Sequence, residues 1–295
     1  MIELTQLPVY KRPQLRSIIS RISKKIQISF QGFDFKMFEW SAKNVVYVGA
    51  FSGIGYQVCQ MLMKKPIKFL VVCSRMENVE MLKKLQDLNR AVSVVFVQIN
   101  ITEHTSIDHA IKTIIGKTGY VDVLINGVGV LADKDVETTV SVNLTGMINT
   151  TLMMMPWMDK SQSGHGGMVV NIASVYGLEP GPAFSVYAAA KHGVIGFTRS
   201  MADDNIYQKT GVAFLCICPG MTSTELMMNK RDMNWVNWVP HSQPIWNSLK
   251  EVKMQTPQEC AANVVQAMEK WKNGGIYICS KGGMKEVVWP VHWQI

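Results

Sequence analysis

Short apolar runs alternate with stretches of helical periodicity from Lys43 onward. The first run, 44–48, reads Asn-Val-Val-Tyr-Val and is typical of a strand that is covered on both faces. Similar runs recur to the end of the chain, each bounded by turn residues or by a helical stretch. The predicted strands are 44–48, 67–73, 92–99, 121–126, 168–173, 211–218 and 276–279.

Helices are predicted between these strands, because apolar residues there recur at three- and four-residue spacing. Ile107 and Ile111 belong to one such stripe, and Thr105 or Ser106 is placed to cap the helix that carries them. The longest uncharged stretch, 138–158, is diluted by Thr, Asn, Ser and Gly. It is therefore predicted to be a buried helix and not a membrane span.

The order of these elements predicts the fold. A helix start is encoded where Thr256 and Glu259 form a capping box, with Pro257 in the first helical position. Strands that alternate with helices of ten or more residues predict a parallel sheet wrapped by helices. Because the first strand–helix turn is rich in glycine, a doubly wound sheet is favoured over a barrel. We predict an α/β fold: a single doubly wound, parallel-sheet domain of the Rossmann type, with helices on both faces, over residues 37–295.

Residues 1–36 differ from the rest in charge. They hold seven Lys and Arg against two acidic residues, which is +5 of the formal +8 of the whole chain. The basic balance therefore belongs to this extension and does not indicate nucleic acid as a partner. Apolar residues from Leu15 to Ile26 follow helical spacing, as in an organelle presequence or a membrane-surface helix. The interpretation that we favour is a poorly ordered extension.

Composition excludes several classes of protein. With 47% apolar and 18% charged residues, the chain is neither disordered nor a heptad repeat. The six cysteines form no Cys-x-x-Cys pair, and Cys216 and Cys218 would share one face of one strand. We expect reduced core cysteines in a cytoplasmic protein. No His/Cys cluster has metal-ligand spacing, so no metal is predicted, and no apolar leader or membrane span is evident.

The glycine-rich turn after the first predicted strand indicates a phosphate site. A pyrophosphate needs backbone N–H groups at close range and a helix N-terminus directed at it, so Cβ atoms must be absent there. The position of the turn between a strand and a helix predicts dinucleotide binding. The residues of the turn are Gly49, Phe51, Ser52, Gly53, Ile54 and Gly55.

The end of the second predicted strand bears on the choice of cofactor. A carboxylate at this position would bind the adenosine ribose and repel a 2′-phosphate. The chain instead has Ser74, which cannot repel, followed by Arg75, which can pair with a phosphate or stack on adenine. Both NAD and NADP therefore remain open.

Ser174, Tyr187 and Lys191 are the candidate catalytic residues. Tyr187 and Lys191 are four residues apart and so share one face of a helix, while Ser174 ends the fifth predicted strand. A free tyrosine has a pKa of about 10, too high for a base near neutrality. A lysine ammonium one turn away, together with the positive nicotinamide of an oxidised cofactor, is expected to lower that pKa by about 2 to 3.

These motifs together resemble the short-chain dehydrogenase/reductase family from residue 37 to the C-terminus. The resemblance implies that Tyr187 is the acid/base, that Ser174 orients the substrate and that Lys191 binds the nicotinamide ribose. It also implies that Asn143 anchors a water between Lys191 and solvent. The further cofactor contacts that it implies are Asn100, Ile101, Asn126, Gly127, Pro219, Gly220 and Thr222.

Within that family the segments 121–127, 185–187 and 196–200 and the tail with Trp289 and Trp293 resemble the insect alcohol dehydrogenase branch. The segments 73–78 and 224–233 are most similar to the methionine-rich fat-body proteins of flies in that branch. The branch has an acidic residue where this chain has Ser74, and the family usually has one at Asn100. Residues of about 220–256 are expected to cover the substrate, and 282–295 to form a C-terminal tail. The resemblance also implies a homodimer. The methionines and tryptophans of the covering segment suit a pocket for an apolar alcohol or carbonyl compound, and packing on a partner subunit would explain the same composition. They are Met221, Met227, Met228, Met233, Trp235, Trp238, Trp246 and Met254.

The sequence therefore predicts an oxidoreductase that uses NAD or NADP to interconvert an apolar alcohol and its ketone or aldehyde. The alternative is a non-catalytic, methionine-rich fat-body storage or cofactor-binding protein on the same fold. The intact Ser174, Tyr187 and Lys191 favour the enzyme.

Overall fold

The structure, a computed structural model, describes residues 37–228, 244–245, 247–248 and 251–289. By its contacts the chain divides into the units Met1–Met37 and Phe38–Ile295, and the second unit is the one described below. The expectations for residues 1–36 lie outside the described residues.

An eight-stranded sheet organises this unit, with the strand order β3-β2-β1-β4-β5-β6-β7-β8. Its strands are β1 Asn44–Val48, β2 Phe69–Ser74, β3 Ser93–Gln98, β4 Val123–Asn126, β5 Gly167–Ile172, β6 Val212–Pro219, β7 Ile276–Ser280 and β8 Gly283–Glu286. The first seven strands pair in parallel. The order turns back between β1 and β4, which confirms the predicted doubly wound fold.

The last strand was not predicted, and the expectation that 276–279 closes the series is wrong. β8 returns antiparallel to β7, with Ser280 paired to Gly283. The two residues between them, Lys281 and Gly282, have φ of 51° and 72°. Successive positive φ angles are typical of a tight hairpin turn whose twist matches the strands. The sheet is therefore parallel with one antiparallel edge strand.

Helices cover both faces of the sheet. They are α1 Gly53–Leu62, α2 Val79–Leu88, α3 His104–Thr118, α4 Val136–Val140, α5 Gly146–Met154, α6 Ser185–Met201, α7 Asp204–Thr210, α8 Glu225–Met228 and α9 Pro257–Glu269. A π-helical turn, Ser141–Thr145, joins α4 to α5, so most of the uncharged stretch forms one continuous helical run. Among the described residues, no helix combines the length and the apolar character needed to span a bilayer.

Of the two predicted helix caps, one is confirmed and the other is wrong. The capping box of α9 is confirmed: Glu259 N donates to Thr256 Oγ1 at 3.2 Å, and Thr256 N donates to the Glu259 carboxylate at 2.7 Å. The predicted cap of α3 is wrong, because that helix begins after Glu103. Ser106 is occupied elsewhere, since its hydroxyl accepts the backbone N–H of Asn100 at 2.9 Å.

The core lies on both faces of the sheet. On one face Leu62 of α1 and Val264 of α9 pack against strand residues such as Leu215. On the other, Ile107 of α3 and Met154 of α5 pack against β6 and its neighbours. All six cysteines are buried and free, as expected, and Cys216 and Cys218 belong to one cluster on the same side of β6.

Candidate active site

A cavity of about 860 Å³ opens at the carboxyl ends of the parallel strands. Its walls come from the segments that follow β1 to β6. The strand order turns back between β1 and β4 at the same edge, where doubly wound sheets bind their ligands. The volume is in the range of sites for small molecules and cofactors.

Most of the predicted site residues line this cavity. Ser174, Tyr187 and Lys191 lie in its wall, whereas Asn126 and Asn143 do not. The predicted cofactor residues that line it are Gly49, Phe51, Ser52, Gly53, Ile54, Gly55, Ser74, Arg75, Asn100, Ile101, Gly127, Tyr187, Lys191, Pro219, Gly220 and Thr222.

Close backbone packing explains two glycines of the turn. Gly49 has φ of +92°, and a Cβ atom on it would lie 2.8 Å from the backbone nitrogen of Val128. A Cβ atom on Gly55 would lie 2.5 Å from the carbonyl oxygen of Gly49. Real Cβ atoms do not approach other atoms so closely. The turn therefore holds the start of α1 directly against the end of β1.

The N-terminus of α1 fits a pyrophosphate. Ser52 is its N-cap residue in extended conformation, yet its side chain makes no capping hydrogen bond. Residues 52–55 all line the cavity. The first N–H groups of a helix lack partners within the helix and carry partial positive charge. The residues present therefore fit the diphosphate of a dinucleotide.

The adenosine end of the cavity is polar and partly tied to the protein. Asn100 donates to the Glu103 carboxylate at 2.7 Å, and its oxygen accepts the Thr102 hydroxyl at 2.9 Å. Arg75 is exposed at the rim, and its carbonyl oxygen accepts Gln98 Nε2 at 2.9 Å. Ser74 is half-buried. No carboxylate stands at position 74, so this edge fits either cofactor.

The three candidate catalytic side chains are buried together. Ser174, Tyr187 and Lys191 are 7%, 9% and 3% exposed. The ammonium of Lys191 lies 5.6 Å from the centre of the Tyr187 ring, and it donates to the carbonyl oxygen of Ile172 at 2.9 Å. The end of β5, with Ser174 just beyond it, and the face of α6 that carries Tyr187 and Lys191 thus lie together, as the sequence predicts.

Burial dominates the electrostatics of this cluster. Loss of hydration raises the pKa of Tyr187 to about 12, although a hydrogen bond with Ser174 acts in the opposite direction. Loss of hydration also lowers the pKa of Lys191 to about 8. In the protein alone the Tyr187 pKa is therefore raised and not lowered, because the cost of removing a phenolate from water outweighs the hydrogen bond with Ser174. The lowering expected with an oxidised cofactor bound stays a prediction.

Asn143 lies within the π-helical turn and behind the cavity wall. Its amide nitrogen donates to the carbonyl oxygens of Val130 and Thr139 at 2.9 and 2.8 Å, and its oxygen accepts Val130 N at 3.1 Å. Both amide hydrogens are thus used by the protein. A Cβ atom on Gly129 would lie 3.1 Å from Asn143 Oδ1 and 3.7 Å from Lys191 Nζ. Asn143 and Lys191 therefore flank the same backbone segment.

Asn126 belongs to a buried polar chain beneath the cavity. Its amide nitrogen donates to Thr151 Oγ1 at 2.9 Å and to Asn171 Oδ1 at 2.8 Å. Asn171 in turn donates to Thr198 Oγ1 at 2.9 Å. This chain links β4 and β5 to α5 and α6. The structure therefore places Asn126 in the support of the site and only its neighbour Gly127 in the wall.

Sequence reasoning missed Asp133, which anchors the helix of Tyr187. The Asp133 carboxylate is 1% exposed and accepts the backbone N–H groups of Val186 and Tyr187 at 2.8 and 3.0 Å. The N-cap residue of α6, Phe184, has a hydrocarbon side chain, which cannot accept the first N–H groups of the helix. Asp133 thus caps α6 from a loop more than 50 residues away, a pairing that no local motif reveals.

An apolar group adjoins Tyr187 at the cavity, and it was also not predicted in full. Tyr176 and Phe184 meet edge to face, with ring centres 4.3 Å apart. The group consists of Leu131, Ala183, Phe184 and Tyr187, with Tyr176, Leu226, Met227 and Ile245 packed against it. Of the covering segment, Met233, Trp235, Trp238 and Trp246 lie outside the described residues, as does the side chain of Met228.

Known proteins resemble this chain over most of its length. A family model described as short chain dehydrogenase matches residues 43–235. The development-specific 25 kDa protein of Sarcophaga peregrina is 72% identical over 87% of this chain and 99% of that protein. Fat body protein 2 of Drosophila melanogaster is 56% identical over 88% of this chain and all of that protein. Alcohol dehydrogenase 2 of Ceratitis capitata is 43% identical, over 86% and 97% of the two chains.

Solved structures also resemble the fold. The crystal structure of a short chain dehydrogenase/reductase from Burkholderia phymatum, in complex with NAD, matches with a TM-score of 0.66 and 21% identity. The match covers 82% of this chain and 90% of that one. At this identity the likeness concerns the fold alone.

Proposed function

This chain belongs to the short-chain dehydrogenase family, and from that premise we propose that it interconverts an apolar alcohol and its ketone or aldehyde. Membership of the family supports an oxidoreductase that binds a nicotinamide dinucleotide. The observation that carries the finer proposal is the burial of Ser174, Tyr187 and Lys191 in the wall of the cavity that the glycine turn also lines.

The dinucleotide, when bound, accepts or supplies a hydride at its nicotinamide ring. The residues of this chain that would hold it are the first turn of α1 at the diphosphate, Ser74 and Arg75 at the adenosine ribose, and Thr222 near the nicotinamide. Ser174 would donate a hydrogen bond to the substrate oxygen. Tyr187 would give a proton to that oxygen in reduction and take it back in oxidation.

The pKa values in this site favour proton donation by Tyr187, the step that reduction of a carbonyl requires. With its pKa raised to about 12, the Tyr187 phenol keeps its proton at neutral pH and is ready to donate it to a carbonyl oxygen. Lys191, with its pKa lowered to about 8, can exist in either form near neutrality and so can exchange a proton. We propose that Asn143 supports this exchange, because its side chain and that of Lys191 both lie against the backbone of Gly129.

The apolar group beside Tyr187 favours an apolar substrate. Leu131, Phe184 and Leu226 pack with Tyr187 in one apolar group, and all three line the cavity. A charged or sugar-like alcohol placed against these three hydrocarbon side chains would lose hydration there. Substrates with aliphatic or aromatic groups next to the reacting carbon are therefore expected to react best.

We also propose that the protein is a cytoplasmic homodimer that pairs through the helices bearing Asn143 and Tyr187. Small exposed residues on α6, Ala189 and Gly196, support a close approach of two copies. Light scattering coupled to size exclusion measures the mass in solution, and a monomer would contradict this proposal.

Replacing Tyr187 with phenylalanine tests the catalytic proposal. The change removes one hydroxyl, so we expect kcat/KM for secondary alcohols to fall by about 10²–10⁴. The dissociation constant of the cofactor, measured by fluorescence titration, is expected to change by less than about twofold, because the phosphate contacts lie elsewhere.

Tyr176→Phe is the matched control. Tyr176 is half-buried and lines the same cavity, yet the proposal gives its hydroxyl no part in proton transfer. Comparable losses in the two variants would contradict the assignment of Tyr187. Cofactor binding by the wild type without turnover of any alcohol or carbonyl tested would favour the non-catalytic alternative, which the fat-body and development-specific relatives keep open.

A further inference from the structure

The two ends of the covering segment meet at one point of the domain. Thr222 and Gln255 form a parallel β-bridge. Gln255 N donates to the carbonyl oxygen of Met221 at 3.0 Å, and Ser223 N donates to the carbonyl oxygen of Gln255 at 2.9 Å. A shared set of backbone hydrogen bonds therefore holds the two ends of this segment side by side.

The side chain of Gln255 extends this connection into the interior. It is 5% exposed, and its amide nitrogen donates to Thr222 Oγ1 at 3.1 Å and to the carbonyl oxygen of Cys279 at 2.8 Å. A carbonyl oxygen can only accept, so the nitrogen of the amide must face Cys279. Both amide hydrogens are then assigned, one to Cys279 and one to Thr222.

This assignment fixes the direction of the Thr222 hydroxyl. The oxygen accepts from Gln255, and its single hydrogen is donated to the carbonyl oxygen of Gly220 at 2.9 Å. The Cys260 thiol is a further neighbour, but a thiol is a weak hydrogen-bonding group. A hydroxyl oxygen has two lone pairs. Thr222, which lines the cavity, therefore keeps acceptor capacity and has no proton to offer.

The family resemblance implies that Thr222 meets the carboxamide of the nicotinamide. From this arrangement we infer that Gln255 is a positioning residue, which holds the Thr222 hydroxyl as an acceptor for the carboxamide NH₂. The inference rests on the proposed function and deepens it. The Oε1 atom of Gln255 is buried and has no partner among the described residues. An unpaired buried acceptor destabilises a fold, and an apolar side chain of the same length would avoid it. The amide is therefore better explained by its action on Thr222 than by stability.

Gln255→Met tests this inference, because methionine keeps the length and the burial of the side chain but donates nothing. The probes are the cofactor that the wild type binds more tightly, NAD or NADP, and its 3-acetylpyridine analogue, in which a methyl group replaces the carboxamide NH₂. We expect the wild type to bind the parent cofactor about five- to tenfold more tightly than the analogue, the value of one hydrogen bond. In Gln255→Met the two dissociation constants are expected to differ by less than about twofold.

Two controls separate positioning from damage to the fold. The dissociation constant of ADP-ribose, which lacks the nicotinamide, is expected to be unchanged in Gln255→Met. Gln258→Met, an exposed change of the same kind in the first turn of α9, is expected to keep the wild-type preference. If Gln255→Met does not fold, Thr222→Val takes its place in the test. This variant is also expected to lose the preference for the parent cofactor over the analogue.

The outcomes distinguish this inference from the proposed function. An undiminished preference in Gln255→Met, or in Thr222→Val if that variant is needed, would overturn the inference while leaving the oxidoreductase intact. Equal weakening of parent, analogue and ADP-ribose would also overturn it, by showing a general loss of structure. A wild type that binds none of the three ligands would reject the proposed function itself, and this inference with it.

Discussion

Gly55→Ala is the sharpest test of how the glycine turn serves the cofactor. The new Cβ atom would lie 2.5 Å from the carbonyl oxygen of Gly49 and 3.0 Å from the ring of the buried Tyr47. Ordinary contacts of a Cβ atom are about 3.4–4 Å, so the turn and the helix must separate by roughly 0.5–1 Å. Overpacking of this kind destabilises by about 1–3 kcal/mol.

Helix propensity acts in the opposite direction. Alanine is favoured over glycine inside a helix by about 1 kcal/mol, so the net loss of unfolding free energy is about 0–2 kcal/mol. The melting temperature is then expected to fall by no more than about 8 °C for a domain of this size. The effect of Gly55→Ala on cofactor affinity is expected to be larger than its effect on stability. Losing one backbone hydrogen bond to a charged phosphate weakens binding by about 10–100-fold.

Gly116→Ala is the matched control. Gly116 lies in α3, is exposed, and a Cβ atom on it would meet nothing within 4 Å. We expect this variant to gain about 1 kcal/mol of stability and to bind the cofactor as the wild type does. Thermal unfolding and fluorescence titration measure both properties. The reasoning is refuted if Gly55→Ala retains wild-type affinity, or if both variants change alike.

Two further substitutions test the charges of the site. Lys191→Met should be inactive yet about 1–3 kcal/mol more stable at pH 7, because a lysine whose pKa falls from 10.5 to about 8 is a buried charge that destabilises the folded state. The difference in unfolding free energy between the variant and the wild type should narrow as the pH rises from 8 to 10.5, because the wild type becomes more stable over that range. A variant that is less stable than the wild type at pH 7, measured by denaturant unfolding, would contradict this. Ser74→Asp should shift the ratio of NAD to NADP affinity toward NAD by at least about tenfold through repulsion of the 2′-phosphate; an unchanged ratio would show that position 74 does not discriminate between them.

Local sequence patterns were sufficient to predict the strands of the parallel sheet and the glycine turn after β1. The central strands β1, β4 and β6 are buried along their whole length because helices cover both faces, and such apolar runs are visible in one sequence. The confirmed capping box of α9 is likewise a local motif. By contrast β8, Gly283–Glu286, reads Gly-Met-Lys-Glu and has no apolar run. It pairs with β7 at the edge of the sheet, and its side-chain contacts, Met284 against the core and Glu286 with Lys272, are to residues that no local pattern connects with it.

The parts of the site that escaped prediction depend on contacts distant in sequence. The pKa of Tyr187 is set by its burial, which the spacing to Lys191 does not contain. Asp133 reaches the first turn of α6 across 53 residues, and Gln255 reaches Thr222 across 33. The resemblance to a family supplied the roles of matching motifs, but neither of these supporting residues belongs to a motif.

The bridge between Thr222 and Gln255 also has a consequence for how such a protein can diversify. Because hydrogen bonds hold its two ends side by side, the stretch between them can be replaced without moving the positions at which it joins the domain. Lengthening it costs little, about 0.6 kcal/mol for each doubling of a flexible loop. Chimeras that graft the corresponding stretch from an insect alcohol dehydrogenase between these two anchors should therefore melt close to the parent while acquiring the donor's preference among alcohols.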